Sequence, residues 1–107
     1  MVINRPSVII GSCKEPFPGW CDSIAAAGAF AFPAAMGIVQ NFYLHNSPVD
    51  FIPVDISSNQ ILVTTCHAAS TPKPEFNIYH NTSNSVNPMG AHEFMGKMGE
   101  YLKFSPF

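Results

Sequence analysis

Few residues of the sequence combine a reactive side chain with the spacing that chemistry requires. Asp50 and Asp55 suggest a general acid and base, but Pro53 stands between them. An aspartate just before a helix is a good N-cap, so we assign Asp55 to capping the segment that follows. There is no glycine-rich phosphate loop, no Gly-x-Ser-x-Gly elbow and no Tyr-x-x-x-Lys pair. Four histidines lack metal-ligand spacing: His45, His67, His80 and His92.

The three cysteines, Cys13, Cys21 and Cys66, are an odd number without a Cys-x-x-Cys spacing. They are typical of reduced intracellular thiols that pack as small hydrophobic side chains. No signal peptide is visible, because the first charged residues are followed by only a short apolar run. We therefore interpret the glycosylation pattern at residues 81–83 as chance and expect an intracellular protein that is not secreted.

The chain of 107 residues is 47% apolar and 12% aromatic, and only 11% of its residues are charged. High aromatic content and low charge exclude a disordered tail. Five Lys and Arg residues spread along the chain cannot form a basic stripe, which excludes a nucleic-acid binder that relies on charge.

One stretch, from Ser23 to Val49, contains no Asp, Glu, Lys or Arg. Its strongly apolar part, Ile24 to Val39, is 16 residues long and is interrupted by glycine and proline. A membrane span needs about 20 residues, so we favour a buried or ligand-lining segment. Contact of this stretch with a membrane surface remains an alternative.

The order of predicted elements indicates an α/β fold. A β-branched strand is predicted over residues 2–10, with an end or bend at Pro6, which has no N–H to donate. A helix over 55–69 and a strand over 76–81 follow. A last helix over 88–102 begins with Asn87 as its cap, and Glu93 and Lys97 can pair on it. We also expect a short helix after Gly37 that ends near Asn46.

Three motifs occur in an order that resembles a known family. They are Arg-Pro-Ser-Val-Ile at residues 5–9, Lys-Glu-Pro-Phe-Pro-Gly-Trp at 14–20 and Ile-Pro-Val-Asp at 52–55. Asp22 after the tryptophan and the Tyr79 to Ser83 strand end fit the same pattern. Together they resemble the alcohol-forming fatty acyl-CoA reductases, also known as male-sterility-type proteins. The resemblance extends from Ile3 to about Leu102.

The resemblance implies a partial extended short-chain dehydrogenase fold, Rossmann-like, with the C-terminal sheet strands and the substrate-binding part. In that family the nucleotide-binding glycine turn and the catalytic Tyr-x-x-x-Lys precede the Arg-Pro-Ser strand. Residues 1–107 therefore resemble a single incomplete domain whose N-terminal half is absent, and we expect this chain alone to be inactive. The complete enzyme would use NADPH to reduce a long-chain acyl-CoA, through an aldehyde, to a fatty alcohol.

The resemblance also implies which residues contact the ligands. Pro6, Ser7 and Val8 would lie beside the nicotinamide of NADPH. The alternative for Arg5 and Pro6 is that they simply end a strand. An acyl chain needs an uncharged wall, which five residues would line: Phe17, Trp20, Phe30, Phe32 and Met36.

Relatives of this kind often carry a Lys or Arg near positions 36 and 40, where this chain has Met36 and Gln40. That difference argues against a contact with the CoA phosphates there. The family further implies association of the complete protein with peroxisomal or endoplasmic reticulum membranes. The alternative is a non-catalytic module that binds an apolar ligand or a partner protein.

Overall fold

The computed structural model describes residues 1–24, 27–41, 43–72 and 76–104, which form short strands and three helices. None of these helices combines the length and the apolar character that crossing a bilayer requires. In chain order the elements are β1 (Val2–Pro6), β2 (Val8–Ile10), α1 (Ala27–Ala35), β3 (Pro48–Val49), β4 (Phe51–Pro53), α2 (Val54–Ser70), β5 (Asn77–Asn81), β6 (Met89–Gly90) and α3 (Ala91–Phe104).

The N-terminal strand changes its neighbour at Ser7. Before this residue β1 pairs in parallel with β5, and after it β2 pairs in parallel with β4. The Ser7 N–H donates to the carbonyl of Asn81 at 2.9 Å, and the Val8 N–H donates to the carbonyl of Asp50 at 3.3 Å. β1 ends at Pro6, whose nitrogen has no N–H to donate on the side away from β5, the side on which the Val8 N–H bonds to Asp50. The bend predicted at Pro6 is thereby confirmed, as are the strand over 76–81 and the α/β class.

Helix α2 connects β4 to β5 and packs on β1 through polar side chains. Its buried residues are Ser57 and Thr64, each 5% exposed. The Asn4 side-chain amide donates to the Thr64 hydroxyl at 2.9 Å, which joins the helix to the strand. The helix predicted over 55–69 is confirmed, with one further residue at each end.

The capping role assigned to Asp55 is wrong. The residue before the helix is Pro53, which makes no side-chain capping bond, and Asp55 lies inside the first turn. Pro53 already has the extended backbone that an N-cap position requires, so the helix begins one residue before Asp55.

Two other predicted helix boundaries are also wrong. Helix α3 begins at Ala91 and not at Pro88, because Met89 and Gly90 pair in an antiparallel ladder with β3. The short helix expected after Gly37 lies instead before it, as α1. Gly37 has φ +72°, the left-handed conformation that ends helices, and its N–H donates to the carbonyl of Ala34 at 3.0 Å. The predicted ion pair on α3 does form, with 2.7 Å between Lys97 Nζ and Glu93 Oε1.

The described residues bury little apolar surface. Ile52 and Ala91 are their buried apolar side chains, whereas Phe30, Met36 and Ile38 are each more than half exposed. The described part of the stretch from Ile24 to Val39 is therefore not buried within this chain, and its ligand-lining role stays a prediction. The accessible surface is 8026 Å², whereas a folded monomer of this mass exposes about 5,800 Å². The chain therefore exposes more surface than a compact monomer of its mass.

The bond between Asn4 and Thr64 provides a test of how α2 is fixed to the sheet. Thr64→Val keeps the shape of the side chain and leaves the part-buried Asn4 amide without its partner. We expect a loss of about 1 to 3 kcal/mol in the free energy of unfolding, measured by urea denaturation.

Thr65→Val is the matched control for this experiment. Thr65 is exposed, and its hydroxyl donates only within the helix, to the carbonyl of Ile61 at 2.7 Å. Equal losses from the two substitutions would show that Asn4 does not link β1 to α2.

Candidate functional site

Residues 11–20, here called the tryptophan loop, close on themselves after β2. The Ser12 N–H donates to the carbonyl of Trp20 at 2.9 Å, and the Gly19 N–H donates to the carbonyl of Ser12 at 2.8 Å. Gly19 has φ +83°, which suits glycine at this turn. A Cβ at Gly11 would lie 3.1 Å from the Trp20 carbonyl oxygen, so only glycine fits there without a shift. The tryptophan loop is therefore closed by hydrogen bonds within itself and by two glycines.

The carboxylate of Asp55 connects this loop to α2. Its Oδ1 accepts the N–H of Cys13 at 3.0 Å, and its Oδ2 accepts those of Lys14 at 2.8 Å and Glu15 at 3.2 Å. Donation by the Cys13 N–H, with help from the other two, lowers the pKa of Asp55 from 3.8 to about 2, against an opposing effect of desolvation. The residue predicted to cap its own helix instead accepts three hydrogen bonds from a loop some 40 positions earlier.

This lowered pKa predicts how stability depends on pH. Because the pKa of Asp55 is lower in the folded chain, the carboxylate stabilises the fold above its ordinary pKa of 3.8. That stabilisation is lost as the pH falls through about 2. We expect the free energy of unfolding to decline between these values and the decline to be smaller in Asp55→Asn, as measured by urea denaturation at a series of pH values.

The matched control is Asp22→Asn, since Asp22 is exposed. This variant should keep the pH dependence of the unchanged chain. Identical profiles for the unchanged chain and Asp55→Asn would contradict the prediction.

Asp50 connects the strand change to the turn after β5. Its Oδ1 accepts the N–H of Ser83 at 2.8 Å and the Ser83 hydroxyl at 3.1 Å, and its backbone carbonyl accepts the Val8 N–H. The Ser83 N–H is the main cause that lowers the pKa of Asp50. A general acid at neutral pH needs a raised pKa, so the arrangement favours a structural role for this carboxylate.

An apolar cavity of about 520 Å³ lies beside the strand change, next to Val8 and Asp50. Helix α1 contributes Phe30, and α3 contributes Phe94 and Met95. The rings of Phe51 and Phe94 pack with centroids 4.7 Å apart at 45°. Asp50 is the charged residue of this cavity, and its carboxylate is already engaged by Ser83.

Two further cavities lie beside the tryptophan loop and share residues 21–23. The second, of about 190 Å³, is lined by Ile9, Trp20 and Val54 among others. The third, of about 690 Å³, runs along the face of α1 that carries Gly28, Ala31, Phe32 and Ala35. Phe30 lies outside this helical spacing and lines the first cavity instead.

The structure distributes the predicted substrate residues over different places. Phe30 lines the first cavity, Trp20 the second and Phe32 the third. Phe17 and Met36 are each 58% exposed and contribute to none of these three cavities. The five residues are therefore not brought together in one channel.

The predicted cofactor residues lie together at the strand change, with Pro6 ending β1 and Val8 beginning β2. Ser7 is half-buried between them, and its hydroxyl oxygen is shielded from solvent. That oxygen lies near the Asp50 carboxylate but does not reach hydrogen-bond geometry with any described atom. Phe94 and Met95 line the first cavity but were not predicted as site residues. Their place on the apolar face of the last helix was the signal that could have identified them.

The thiols do not pack as predicted. Cys13, Cys21 and Cys66 are free but exposed, because the short strands leave no interior for them. The Cys21 thiol donates to the carbonyl of Ser23 at 3.0 Å. Among the described residues, no group of three His, Cys, Asp or Glu side chains could hold a metal ion.

Comparison with known proteins gives consistent results. The NAD-binding family model described as male sterility protein matches residues 1–61. Fatty acyl-CoA reductase 1 of Rattus norvegicus is 31% identical over 106 residues, which is 98% of this chain and 20% of the relative. The chloroplastic fatty acyl-CoA reductase 2 of Arabidopsis thaliana is 31% identical over 110 residues, or 99% and 18%. Fatty acyl-CoA reductase 1 of Homo sapiens is 32% identical over 89 residues, or 82% and 17%.

The parallel strand pairs and the connecting helix are those of an α/β chain with part of a Rossmann-like fold. The chain belongs to the male sterility protein family of fatty acyl-CoA reductases, a family of NAD(P)-binding oxidoreductases. It spans about a fifth of the length of the curated relatives it matches.

Proposed function

We propose that this chain is part of an NADPH-dependent fatty acyl-CoA reductase that converts a long-chain acyl-CoA to a fatty alcohol. In this proposal the chain lines the acyl site and the nicotinamide site. The observation that carries it is the position of Val8. This residue belongs to the strand change assigned to the cofactor and also lines the first apolar cavity.

The first cavity suits an acyl chain in size and in chemistry. Ligand cavities commonly have volumes of about 300 to 1,000 Å³ with mostly apolar walls. This cavity, at about 520 Å³, has aromatic and aliphatic walls from four parts of the chain. Phe30 is therefore our main candidate for contact with the acyl chain. Trp20, Phe32, Phe17 and Met36 remain predictions from the family resemblance.

The strand change suits a nicotinamide in one respect. The Ser7 hydroxyl is a shielded polar group without a well-formed partner, next to the end of a parallel strand. Ligands of open α/β sheets bind beyond the carboxyl ends of such strands. NADPH would supply a hydride when bound, and Pro6, Ser7 and Val8 would border its nicotinamide ring. The backbone N–H groups of Ser7 and Val8 are already used in the sheet, which leaves the Ser7 hydroxyl as the polar group for the ligand.

The proposal extends to partners and location. The excess of exposed surface supports the view that the chain needs the remaining, N-terminal half of such a reductase to cover it. Association of the complete protein with a peroxisomal or endoplasmic reticulum membrane follows from the family resemblance alone. The second function considered, a module that binds an apolar ligand without catalysis, is favoured by the presence of an apolar cavity within this chain.

Binding of palmitoyl-CoA to the isolated chain tests the acyl site. Phe30→Ala removes an exposed ring that lines the first cavity, so the fold should be little affected. We expect about a tenfold rise in the dissociation constant, measured by calorimetry, because an aromatic contact of this size is worth about 1.5 kcal/mol. Ile38→Ala is the matched control, since Ile38 is 70% exposed and lies outside the three cavities. Equal weakening by both substitutions would contradict the assignment.

Turnover separates the two functions. With NADPH and palmitoyl-CoA, the isolated chain should produce no fatty alcohol, because it has no Tyr-x-x-x-Lys pair to polarise the carbonyl. Activity should appear when the chain is co-expressed with the N-terminal half of a related reductase. Alcohol formation by the chain alone would refute its predicted inactivity. Tight acyl binding without activity in any such complex would favour the non-catalytic module.

A further inference from the structure

Asp55 lies between two elements that line the second cavity. Val54, the preceding residue of α2, lines this cavity on the helix side, and Trp20 lines it at the end of the tryptophan loop. The Asp55 carboxylate accepts backbone N–H groups from the beginning of that same loop. One side chain therefore fixes two parts of the cavity wall relative to each other.

The loop has no other hydrogen bond to α2 in the part of the chain that the structure describes. Its remaining bonds, between Ser12 and Trp20, between Ser12 and Gly19, and from Ser12 and Trp20 to Phe17, close the loop on itself. Internal closure preserves the shape of the loop but does not determine where it lies against the helix. Beyond the chain connection to β2, the three bonds to Asp55 are the hydrogen bonds that hold the described loop in that position.

We propose that Asp55 is a positioning residue, which holds the tryptophan loop against α2 and thereby keeps Trp20 in the wall of the second cavity. The identity of the ligand that would use this wall, an acyl-CoA, rests on the proposed function. The holding role itself does not, since it concerns the loop and the helix only. Asp55 is not a catalytic residue in this proposal, because it acts through Trp20.

A purely structural role for Asp55 predicts something different. An acidic residue in the first turn of a helix stabilises that helix through its dipole, without any contact with a loop. In this case both carboxylate oxygens are engaged by loop N–H groups, Oδ1 by Cys13 and Oδ2 by Lys14 and Glu15. The two roles can be separated by a signal that reports on the loop and not on the helix.

Trp20 provides that signal, because it is the single tryptophan of the chain. In Asp55→Asn the amide nitrogen cannot accept a hydrogen bond, so the loop loses part of its attachment. We expect acrylamide to quench Trp20 fluorescence several-fold more strongly, with emission at longer wavelength, while far-UV circular dichroism still shows α2. Glu100→Gln, an exposed position on α3, is the matched control and should leave Trp20 unchanged.

Unchanged quenching in Asp55→Asn, together with a lower melting temperature, would overturn the proposal and leave only a role in the helix. If the variant does not fold, hydrogen exchange on the unchanged chain decides. The amides of Cys13, Lys14 and Glu15 should exchange several-fold more slowly than in an unstructured peptide, and exchange at the peptide rate would overturn the proposal.

Titration with palmitoyl-CoA, followed by Trp20 fluorescence, adds the link to function. In Asp55→Asn the change in Trp20 emission on binding should be lost or weakened. If the unchanged chain does not bind palmitoyl-CoA at all, the proposed function fails. The comparison of quenching between the two chains still tests the role of Asp55.

Discussion

The change of strand partner at Ser7 is the constraint on which the rest of the structure depends. Along a strand, successive N–H groups point to opposite sides. The Ser7 N–H therefore bonds to Asn81 on one neighbouring strand, and the Val8 N–H bonds to Asp50 on the other side. Pro6 takes no bond from the ladder with β5, because its nitrogen faces the other side, where the Val8 N–H bonds to Asp50. Since β4 and β5 flank the change, the helix that connects them must cross over β1, and its first turn must lie near the loop that follows β2.

This arrangement explains why two aspartates that look like an acid and base pair both act as acceptors of backbone hydrogen bonds. Asp50 precedes β4 and connects the strand change to the turn at Ser83, whereas Asp55 follows β4 and connects α2 to the tryptophan loop. Each carboxylate compensates backbone N–H groups that no ladder satisfies. In both residues these N–H groups also lower the pKa, so the carboxylates stay ionised at more acidic pH than an ordinary aspartate does.

The sequence predicted the elements better than it predicted their ends. The strand over 76–81, the bend at Pro6 and the helix after β4 followed from local propensity and from the chemistry of proline. Two misplaced helix ends have long-range or conformational causes. A two-residue ladder with β3 delays α3, and the positive φ of Gly37 ends a helix that the pattern had placed after it. The three bonds to Asp55 span some 40 positions, and no periodicity reports them.

The candidate site was less predictable because its walls come from separate segments. The family resemblance identified Phe30 and Val8 as ligand contacts. Phe94 and Met95 line the same cavity from α3, which only the fold brings near. Residues that share one sequence stretch were instead separated, since Phe30 and Phe32 lie on different sides of α1. The composition predicts a segment without charge that could line an apolar cavity. It does not predict which residues of that segment contact the same ligand.

Helix α2 buries polar side chains and exposes apolar ones. It packs Ser57 and Thr64 against its own sheet and directs Ile56, Leu62 and Val63 outward, each at least 45% exposed. A helix whose outer face met solvent would be more stable with the opposite arrangement, in which aliphatic side chains pack on the sheet and polar ones face outward. The outward face of α2 is therefore apolar enough to pack against further protein. Relatives about five times longer have the chain length to provide such a cover, which supports the proposal that these residues function as part of a complete reductase.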